Sequence, residues 1–176
     1  MGLFDQGKYF DVVQEVAKRT PEDILWRITV TNRGPKSAPI HILPTLWFRN
    51  IWSWGENRES PNKKPAIMAA GTGVVASHEA LGEYRFLVDS PNPKKGVPWL
   101  FTENDTNSQS VFGTPNASPH VKDAFHRYLI HGEKNAVSPI QAGTKAAAHL
   151  KFMVPPGVTI TVRCRLHLCV PSMGTL

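Results

Sequence analysis

The stretch "VTITVRCRL", residues 158–166, decides the fold. Its apolar side chains alternate at every second position with threonines and arginines. Successive side chains of a β-strand point to opposite faces, so a period of two predicts a strand with one buried and one exposed face. The turn "PPG" at residues 155–157 separates it from a second strand candidate, "AAAHLKFMV", at residues 146–154. We expect the threonine and arginine face of the last strand to meet solvent.

The same period continues outward to the beginning of the chain. The segments "YFDVVQEVAKRT" (residues 9–20) and "ILWRITVTN" (residues 24–32) flank the turn "TPED" and are typical of a β-hairpin. A third candidate, "IHILPTLWF" at residues 40–48, contains Pro44, which favours an edge position or a bulge. Shorter strand candidates follow at residues 66–70, 73–78, 84–89 and 99–103.

Roughly eight short strands with Gly and Pro turns predict an all-β fold, an antiparallel, supersandwich-like β-sandwich. At 176 residues, one domain covering residues 1–176 is the expectation. Residues 104–144 form a long polar loop region with at most one short helix, around residues 120–130. Loops of that length in a compact domain are usually functional or packed against another element.

The alternation also predicts a core. Apolar residues that share a parity with each other and alternate with polar neighbours should be buried. They are Phe10, Val12, Ile24, Trp26, Ile28, Val30, Leu150, Phe152, Val158, Ile160, Val162 and Cys164.

Composition excludes several classes of function. The formal net charge is +6, but lysine pairs occur only at residues 63–64 and 94–95, in loops rich in Pro, Asn and Gly. No basic stripe lies beside stacking aromatics, so we predict no nucleic-acid partner. No apolar run is long enough to span a membrane and no signal peptide is visible, so we predict no membrane association. Cys164 and Cys169 do not form a disulfide framework, which favours a reducing, cytoplasmic compartment.

Two groups of polar residues are candidates for reactive sites. His120, Asp123 and His126 would spread over about 120° of a helix, too wide for one small ion, so we predict neither a metal site nor any other cofactor. Glu103 and Asp105 lie near Asp123 in sequence, and paired carboxylates are what glycoside hydrolysis needs. The sequence gives no separation between them. Glu103, Asp123 and His126 are therefore weak candidates for a catalytic acid and base.

The aromatic segment "LWFRNIWSWG", residues 46–55, is the third constellation. It holds three of the chain's five tryptophans, interleaved with Arg49, Asn50 and Ser53. An indole face with neighbouring hydrogen-bond donors suits a sugar ring, which has an apolar C–H face and a hydroxyl rim. The alternative, which the residues alone favour modestly, is that the tryptophans pack on a neighbouring core or domain.

These residues also carry a family resemblance. The segment "KYFDVVQEVAKRTPEDILWRITVTNRGPKSAPIHILPTLWFRNIWSWG" closely resembles part of large bacterial glucosidase-like proteins related to glycoside hydrolase family 63. Further matching segments are "LFTENDTN" (residues 100–107), "NASPHVKDAFHRYLIHG" (residues 116–132) and "GTKAAAH" (residues 143–149). The resemblance spans nearly the whole chain, with its motifs in order.

The resemblance implies a fragment of a larger enzyme. Family 63 enzymes have an amino-terminal β-sandwich followed by an (α/α)6 barrel that carries the inverting acid and base. We expect this chain to lack the barrel, so no catalytic pair carries over, and the relatives have sequence ahead of residues 3–10, so the sandwich is expected to lack its first strands. The matched motifs would lie at a barrel interface or a carbohydrate-binding rim. That rim would comprise Trp47, Arg49, Asn50, Trp52, Trp54, Asn104, Asn107 and Lys122.

The leading interpretation is thus a non-catalytic or accessory β-sandwich that binds a glucoside-type carbohydrate or packs on a catalytic barrel domain or chain. One alternative is a free-standing small hydrolase that uses Glu103, Asp123 and His126. Another is a structural or assembly module whose exposed aromatics meet another chain. An uncovered sheet edge predicts a homo-oligomer, joined by edge strands or by the face carrying Trp47, Trp52 and Trp54.

Overall fold

The fold of the chain is an antiparallel β-sandwich, as the alternating sequence predicts. The computed structural model describes residue 4 and residues 6–52, 64–89 and 96–169. Within these residues the strands are β1 (Phe10–Thr20), β2 (Asp23–Asn32), β3 (Ala38–Ile42), β4 (Thr45–Trp47), β5 (Ala66–Ala70), β6 (Gly73–His78), β7 (Gly82–Val88), β8 (Trp99–Thr102), β9 (Ala142–Gly143), β10 (Lys145–Ala148), β11 (Leu150–Val154) and β12 (Thr159–Leu168).

The strands form two layers. The first is a seven-stranded sheet in the order β1-β2-β12-β7-β6-β5-β9. The second layer consists of a three-stranded sheet, β4-β10-β8, and the pair β11-β3. Every pairing is antiparallel. Pro44 lies at the break between β3 and β4, where its carbonyl accepts a hydrogen bond from the Ala148 N–H at 3.1 Å. The predicted third strand is therefore real but interrupted, because proline has no N–H to donate.

The core lies between the two layers. Strands β2, β5, β6, β7 and β12 contribute one side of it, and β3, β8, β10 and β11 contribute the other. Its buried members are Ile28, Val30, Ile42, Ile67, Val74, Ala76, Phe86, Val88, Phe101, Ala146, Ala148, Leu150, Val162 and Cys164. Burial raises the pKa of the Cys164 thiol to about 12, and the charge of Asp89 adds to the shift. That thiol stays protonated at neutral pH and is no nucleophile.

The predicted register of β12 is confirmed. Val162 and Cys164 are buried, whereas Thr159, Thr161 and Arg163 are exposed. Of the predicted core, Ile28, Val30 and Leu150 are also buried, and five residues are only partly buried: Phe10, Ile24, Trp26, Phe152 and Ile160. The prediction is wrong for Val12 and Val158, which are 52% and 41% exposed. Val12 belongs to an edge strand, and Val158 precedes the first residue of β12, so the second layer covers neither.

The long polar region contains the helices. The longest of them is α2 (Ala124–Ile130), which matches the predicted helix. A single-turn helix, α1 (Ser108–Phe112), and a 3-10 turn at Lys134–Ala136 accompany it. In the described part of the chain, no helix has the length and apolarity needed to cross a membrane. The assignment of residues 1–176 to one domain stays a prediction.

A stacked histidine pair closes the second layer beside α2. His41 Nδ1 and His149 Nε2 are 2.7 Å apart, so one nitrogen donates to the other, and the two ring centroids are 5.0 Å apart. Tyr128 meets His149 edge-on, and the Lys134 ammonium lies 4.0 Å from the Tyr128 ring centroid. The pKa of His149 is lowered, first by burial and then by the charges of His41, Lys134 and Lys151.

This pair predicts a loss of stability in mild acid. The unfolded chain protonates His149 near its ordinary pKa of 6.5, whereas the folded chain does so only at lower pH. The contribution of neutral His149 to the free energy of unfolding is therefore complete above pH 6.5, and it is lost as the pH falls through the pKa of the folded state. We expect the melting temperature to fall as the pH drops below about 6.5, and the His149→Gln variant to show a shallower fall. Replacing the exposed His131 by glutamine should leave the wild-type slope, and equal slopes for all three proteins would contradict the prediction.

Candidate functional site

An open groove lies on the outer face of the three-stranded sheet. Trp47 of β4 and Lys145 of β10 are direct cross-strand partners, so both side chains leave the same face. The opposite face of these strands, with Leu46 and Ala146, contacts the core. The groove has a volume of about 540 Å³. We call it the Trp47 groove. It is lined by Leu43, Thr45, Trp47, Asn104, Phe125, His126, Leu129, Ile130 and Lys145.

Helix α2 forms the second wall of the Trp47 groove. Phe125 is buried in a small cluster with Leu100 of β8 and Ala147 of β10. This cluster fixes the helix on the sheet and leaves His126 facing solvent at the groove. The spacing of Phe125, Tyr128 and Leu129 gives the helix one apolar stripe, as expected for a helix that covers a sheet.

The Trp47 groove combines an apolar surface with polar side chains. The Trp47 side chain is 55% exposed despite its size. Lys145 donates from Nζ to the Lys122 carbonyl at 2.8 Å and lies 5.1 Å from the Phe125 ring centroid. Burial lowers the pKa of Lys145, the charge of Lys122 lowers it further, and Asp123 opposes both. An indole, an amide, an imidazole and an ammonium therefore border one cavity.

A carboxylate network adjoins the Trp47 groove. Asp105 Oδ1 accepts hydrogen bonds from Asn50 Nδ2 at 2.6 Å and from Trp52 Nε1 at 2.9 Å. Lys64 Nζ reaches Glu103 Oε2 at 3.0 Å and Asp105 Oδ2 at 3.8 Å, and it lies 5.6 Å from the Trp52 ring centroid. Glu103 Oε2 also accepts from Thr144 Oγ1 at 2.7 Å. The segments at residues 46–52 and 103–105 are thus joined, although some 50 residues separate them.

Asn104 connects the network to the Trp47 groove. Its backbone N–H donates to Thr144 Oγ1 at 2.7 Å, and its side-chain amide donates to the Phe48 carbonyl at 2.8 Å. Asn50 Nδ2 reaches the Asn104 carbonyl at 3.3 Å. The network therefore holds the strand ends that position Trp47 and Asn104 in the groove.

The three catalytic candidates have separate environments. Glu103 bonds Lys64 and Thr144. Asp123 Oδ2 accepts from Asn107 Nδ2 at 2.8 Å, and its other oxygen is buried without a hydrogen-bond partner. His126 lines the Trp47 groove. Among the described residues, no side-chain hydrogen bond joins any two of the three. Nor do three His, Cys, Asp or Glu side chains converge there as metal ligands would.

The predicted carbohydrate-binding residues divide into three groups. Trp47 and Asn104 line the Trp47 groove. Asn50 and Trp52 point their donors at Asp105, and the exposed Arg49 directly precedes Asn50 in the sequence.

The third group lies away from the groove. Asn107 caps α1 by accepting from the Ser110 N–H at 3.1 Å. Lys122 donates from Nζ to Thr106 Oγ1 at 3.1 Å. Trp54 lies outside the described residues.

Sequence reasoning missed Thr144 and Lys145 and treated Lys64 as an ordinary loop lysine. Thr144 and Lys145 join the site only because β10 lies between β4 and β8, and Lys64 joins it through its ion pair with Glu103. The motif "GTKAAAH" did contain Thr144 and Lys145, but nothing in its spacing identified either as part of a site.

Comparison with known proteins gives one clear relative. No protein-family model matches the chain. The chain is 34% identical over 180 residues to a protein of Saccharomyces cerevisiae (strain ATCC 204508 / S288c) described as "Uncharacterized protein YMR196W". The match covers 88% of this chain and 16% of the yeast protein. The chain therefore spans about one sixth of the length of this relative.

Proposed function

We propose that this chain is a non-catalytic, accessory β-sandwich of a family 63-like glycoside hydrolase, and that its Trp47 groove binds a glucoside-type carbohydrate. One observation carries the proposal. A large indole stands 55% exposed in an open groove whose other side chains include an amide, an imidazole and an ammonium. A sugar offers an apolar C–H face to such an indole and hydroxyl groups to such neighbours.

The position of Trp47 favours binding over packing within this chain. Its strand neighbour Leu46 fills the core side, so the indole has no part in the sandwich interior. Exposing so much apolar surface costs solvation free energy, since each buried Å² of apolar surface is worth about 25 cal/mol. A ligand or partner that covers the indole recovers that free energy.

The state of the carboxylates supports a non-catalytic role. Glu103 and Asp105 are engaged by Lys64, Thr144, Asn50 and Trp52. Glycoside hydrolysis needs one carboxyl group that can give up a proton and a second that attacks or activates water. Carboxylates that hold the local structure together are poorly suited to either role. The family resemblance, in which the barrel carries the acid and base, agrees with this assignment.

The match to a much longer relative supports an accessory role. A segment that corresponds to 16% of its relative is the size of one module in a larger protein. The same proposal includes the catalytic activity, the sugar linkage and any barrel partner of the whole protein. The groove residues support these parts only indirectly, through the sugar that the groove would bind.

The expected affinity for a single sugar is weak, with a dissociation constant of roughly 1 mM, because one stacked ring leaves little surplus over the entropy lost on association. Two-dimensional NMR titration with methyl α-glucoside and with maltose should shift the Trp47 indole N–H. Trp47→Ala should abolish binding, and Trp47→Phe should retain part of it. Phe112→Ala provides the matched control, because Phe112 is 69% exposed but lies outside the groove.

Two results would overturn the proposal. If neither sugar shifts the indole signal at about 50 mM while the protein remains folded, the groove does not bind glucosides, and packing on a barrel becomes the better explanation of Trp47. If the isolated chain hydrolyses aryl glucosides, and Glu103→Gln or Asp123→Asn abolishes the turnover, the chain is a catalyst and not an accessory module.

A further inference from the structure

Strand β1 forms a long and uncovered edge of the seven-stranded sheet. It runs for 11 residues and, in the described part of the chain, pairs with β2 alone. From Val12 to its end it is exposed on both faces, and Val16 is 68% exposed. A strand this long in a sheet edge presents a row of backbone groups to which another strand can bind.

The hydrogen-bond pattern shows which backbone groups are unused. The Arg33 N–H donates to the Tyr9 carbonyl at 3.0 Å, just before Phe10 pairs with Asn32. Antiparallel pairs alternate between bonded and non-bonded, so the odd-numbered residues of β1 bond to β2. On the other side of β2, the Asn32 N–H donates to the Val158 carbonyl of the segment leading into β12, which agrees with this alternation. The even-numbered residues of β1 therefore direct their N–H and C=O groups to the open edge.

Features that usually protect a sheet edge are missing from most of β1. The strand has no proline, its first lysine is Lys18, and its only register shift lies between Lys18 and Thr20. Natural edges are commonly blunted by lysine, proline or a bulge early in the strand. Residues 10–17 contain no lysine, proline or bulge, and besides Asp11 and Glu15 they carry the valines Val12, Val13 and Val16.

The charges of β1 are already compensated within the chain. Glu15 binds Arg27 through two hydrogen bonds of 2.8 Å, and Asp11 binds Arg33 at 2.5 Å. Both acids lie on the face of the sheet away from the core. A second strand can therefore approach this edge without meeting an unpaired carboxylate.

We propose that β1 pairs antiparallel with β1 of a second copy of this chain, about a two-fold axis at Gln14. Pairing through the open edge requires even-numbered residues on both strands. An axis at Gln14 pairs residues 10–18 of the two strands and stops short of the register shift, whereas an axis at Glu15 would set Glu15 opposite Glu15 of the partner subunit. It places Val12 opposite Val16 of the partner subunit, and Gln14 opposite Gln14 of the partner subunit. Like charges do not face each other in this register.

The dimer covers part of the apolar surface that the single chain leaves exposed. Val12 and Val16 lie on the core-side face of the sheet, where Val16 borders an apolar hollow with Ile24, Trp26 and Leu166. Side chains set directly opposite each other across a strand pair contact one another, so Val12 and Val16 of the two copies would pack together. The dimer would join two seven-stranded sheets into one, which is a closed, isologous contact. No residue of β1 lines the Trp47 groove, so this inference stands apart from the proposed function.

The test is the mass of the native chain between about 5 and 200 µM, by sedimentation velocity with light scattering. Wild type should shift from monomer to dimer over this range. Gln14→Pro should weaken dimerisation at least about 100-fold, because it removes an N–H that points to the open edge and not to β2. Gln14→Thr, which retains that N–H, should still form the dimer. Circular dichroism and a melting curve verify that each variant is folded.

Amide exchange supplies a second readout that does not depend on a variant. The N–H groups of Val12, Gln14 and Val16 should exchange quickly in dilute protein and slowly at high concentration, whereas those of Val13 and Glu15 should be protected throughout. A monomer at about 200 µM would overturn the proposal. A concentration-independent rate at the even positions, or a Gln14→Pro protein that dimerises like wild type, would overturn it as well.

Discussion

Replacing Asn32 by leucine should lower the free energy of unfolding by about 4 kcal/mol, measured by urea denaturation. Asn32 is 1% exposed. Its side-chain amide donates to the Lys36 carbonyl at 2.9 Å and to the Val154 carbonyl at 2.8 Å, and its oxygen accepts from the Gly34 N–H at 2.8 Å. Leucine has a similar volume but leaves all three backbone groups without their partner. Each unpaired buried group costs about 1–3 kcal/mol.

The loss should be large because Asn32 connects the two layers. It ends β2 of the seven-stranded sheet, and Val154 ends β11 of the second layer. Asn135→Leu, at an exposed position, is the matched control and should change stability by less than about 0.5 kcal/mol. Asn32→Asp should destabilise the protein at least as much as Asn32→Leu, because a buried carboxylate oxygen would then face the Lys36 and Val154 carbonyl oxygens. An Asn32→Leu protein within about 1 kcal/mol of wild type would show that the three bonds contribute little.

The role of Asn32 illustrates what the sequence could and could not predict. The alternation in β2 and β12 depends on neighbours two residues apart, so strand positions and facing sides followed directly from it. The partner of Asn32 at Val154 is 122 residues away, and the segment "NRG" resembles any turn that follows a strand. Periodicity encodes local geometry, but it does not encode which strand ends meet.

The error at Val12 has a related cause. Alternation correctly placed Val12 on the core-side face of the sheet, opposite Val30. It could not indicate how far the second layer extends across that face. The second layer is narrower than the seven-stranded sheet, so β1 carries a core-like pattern without being covered. The apolar pattern of an edge strand therefore carries information about an interface as well as a core.

The candidate site was predictable only in its aromatic part. Trp47 is visible in sequence because tryptophans cluster at residues 46–55. Lys145 faces it only because β10 pairs with β4 in a register that sets these two residues opposite each other. Lys64, Glu103 and Asp105 form ion pairs across segments that are about 40 residues apart in the chain. Such contacts follow from the topology of the sheets, which single-sequence reasoning did not supply.

Gly143→Ala should destabilise the protein by about 3 kcal/mol and lower its melting temperature by about 9 °C. Gly143 lies in β9, opposite Ile67 of β5. A Cβ atom there would lie 2.3 Å from the Thr102 carbonyl oxygen and 2.8 Å from its carbonyl carbon. The same oxygen accepts the Thr144 N–H at 3.1 Å. Both groups are backbone, so no side-chain rotation relieves the clash and one of the strands must move.

The matched control is Gly157→Ala. Gly157 has a φ of +69° and no atom within 4 Å of the added methyl, so its replacement costs only backbone strain, about 1–2 kcal/mol. The larger loss at Gly143 should also reach the candidate site, because Thr144 follows it and bonds Glu103 and Asn104. Gly143→Ala should therefore weaken the proposed sugar binding in the Trp47 groove, whereas Gly157→Ala should not. Equal destabilisation by the two substitutions would mean that β9 and β8 can separate freely, and that their close contact does not hold the groove in place.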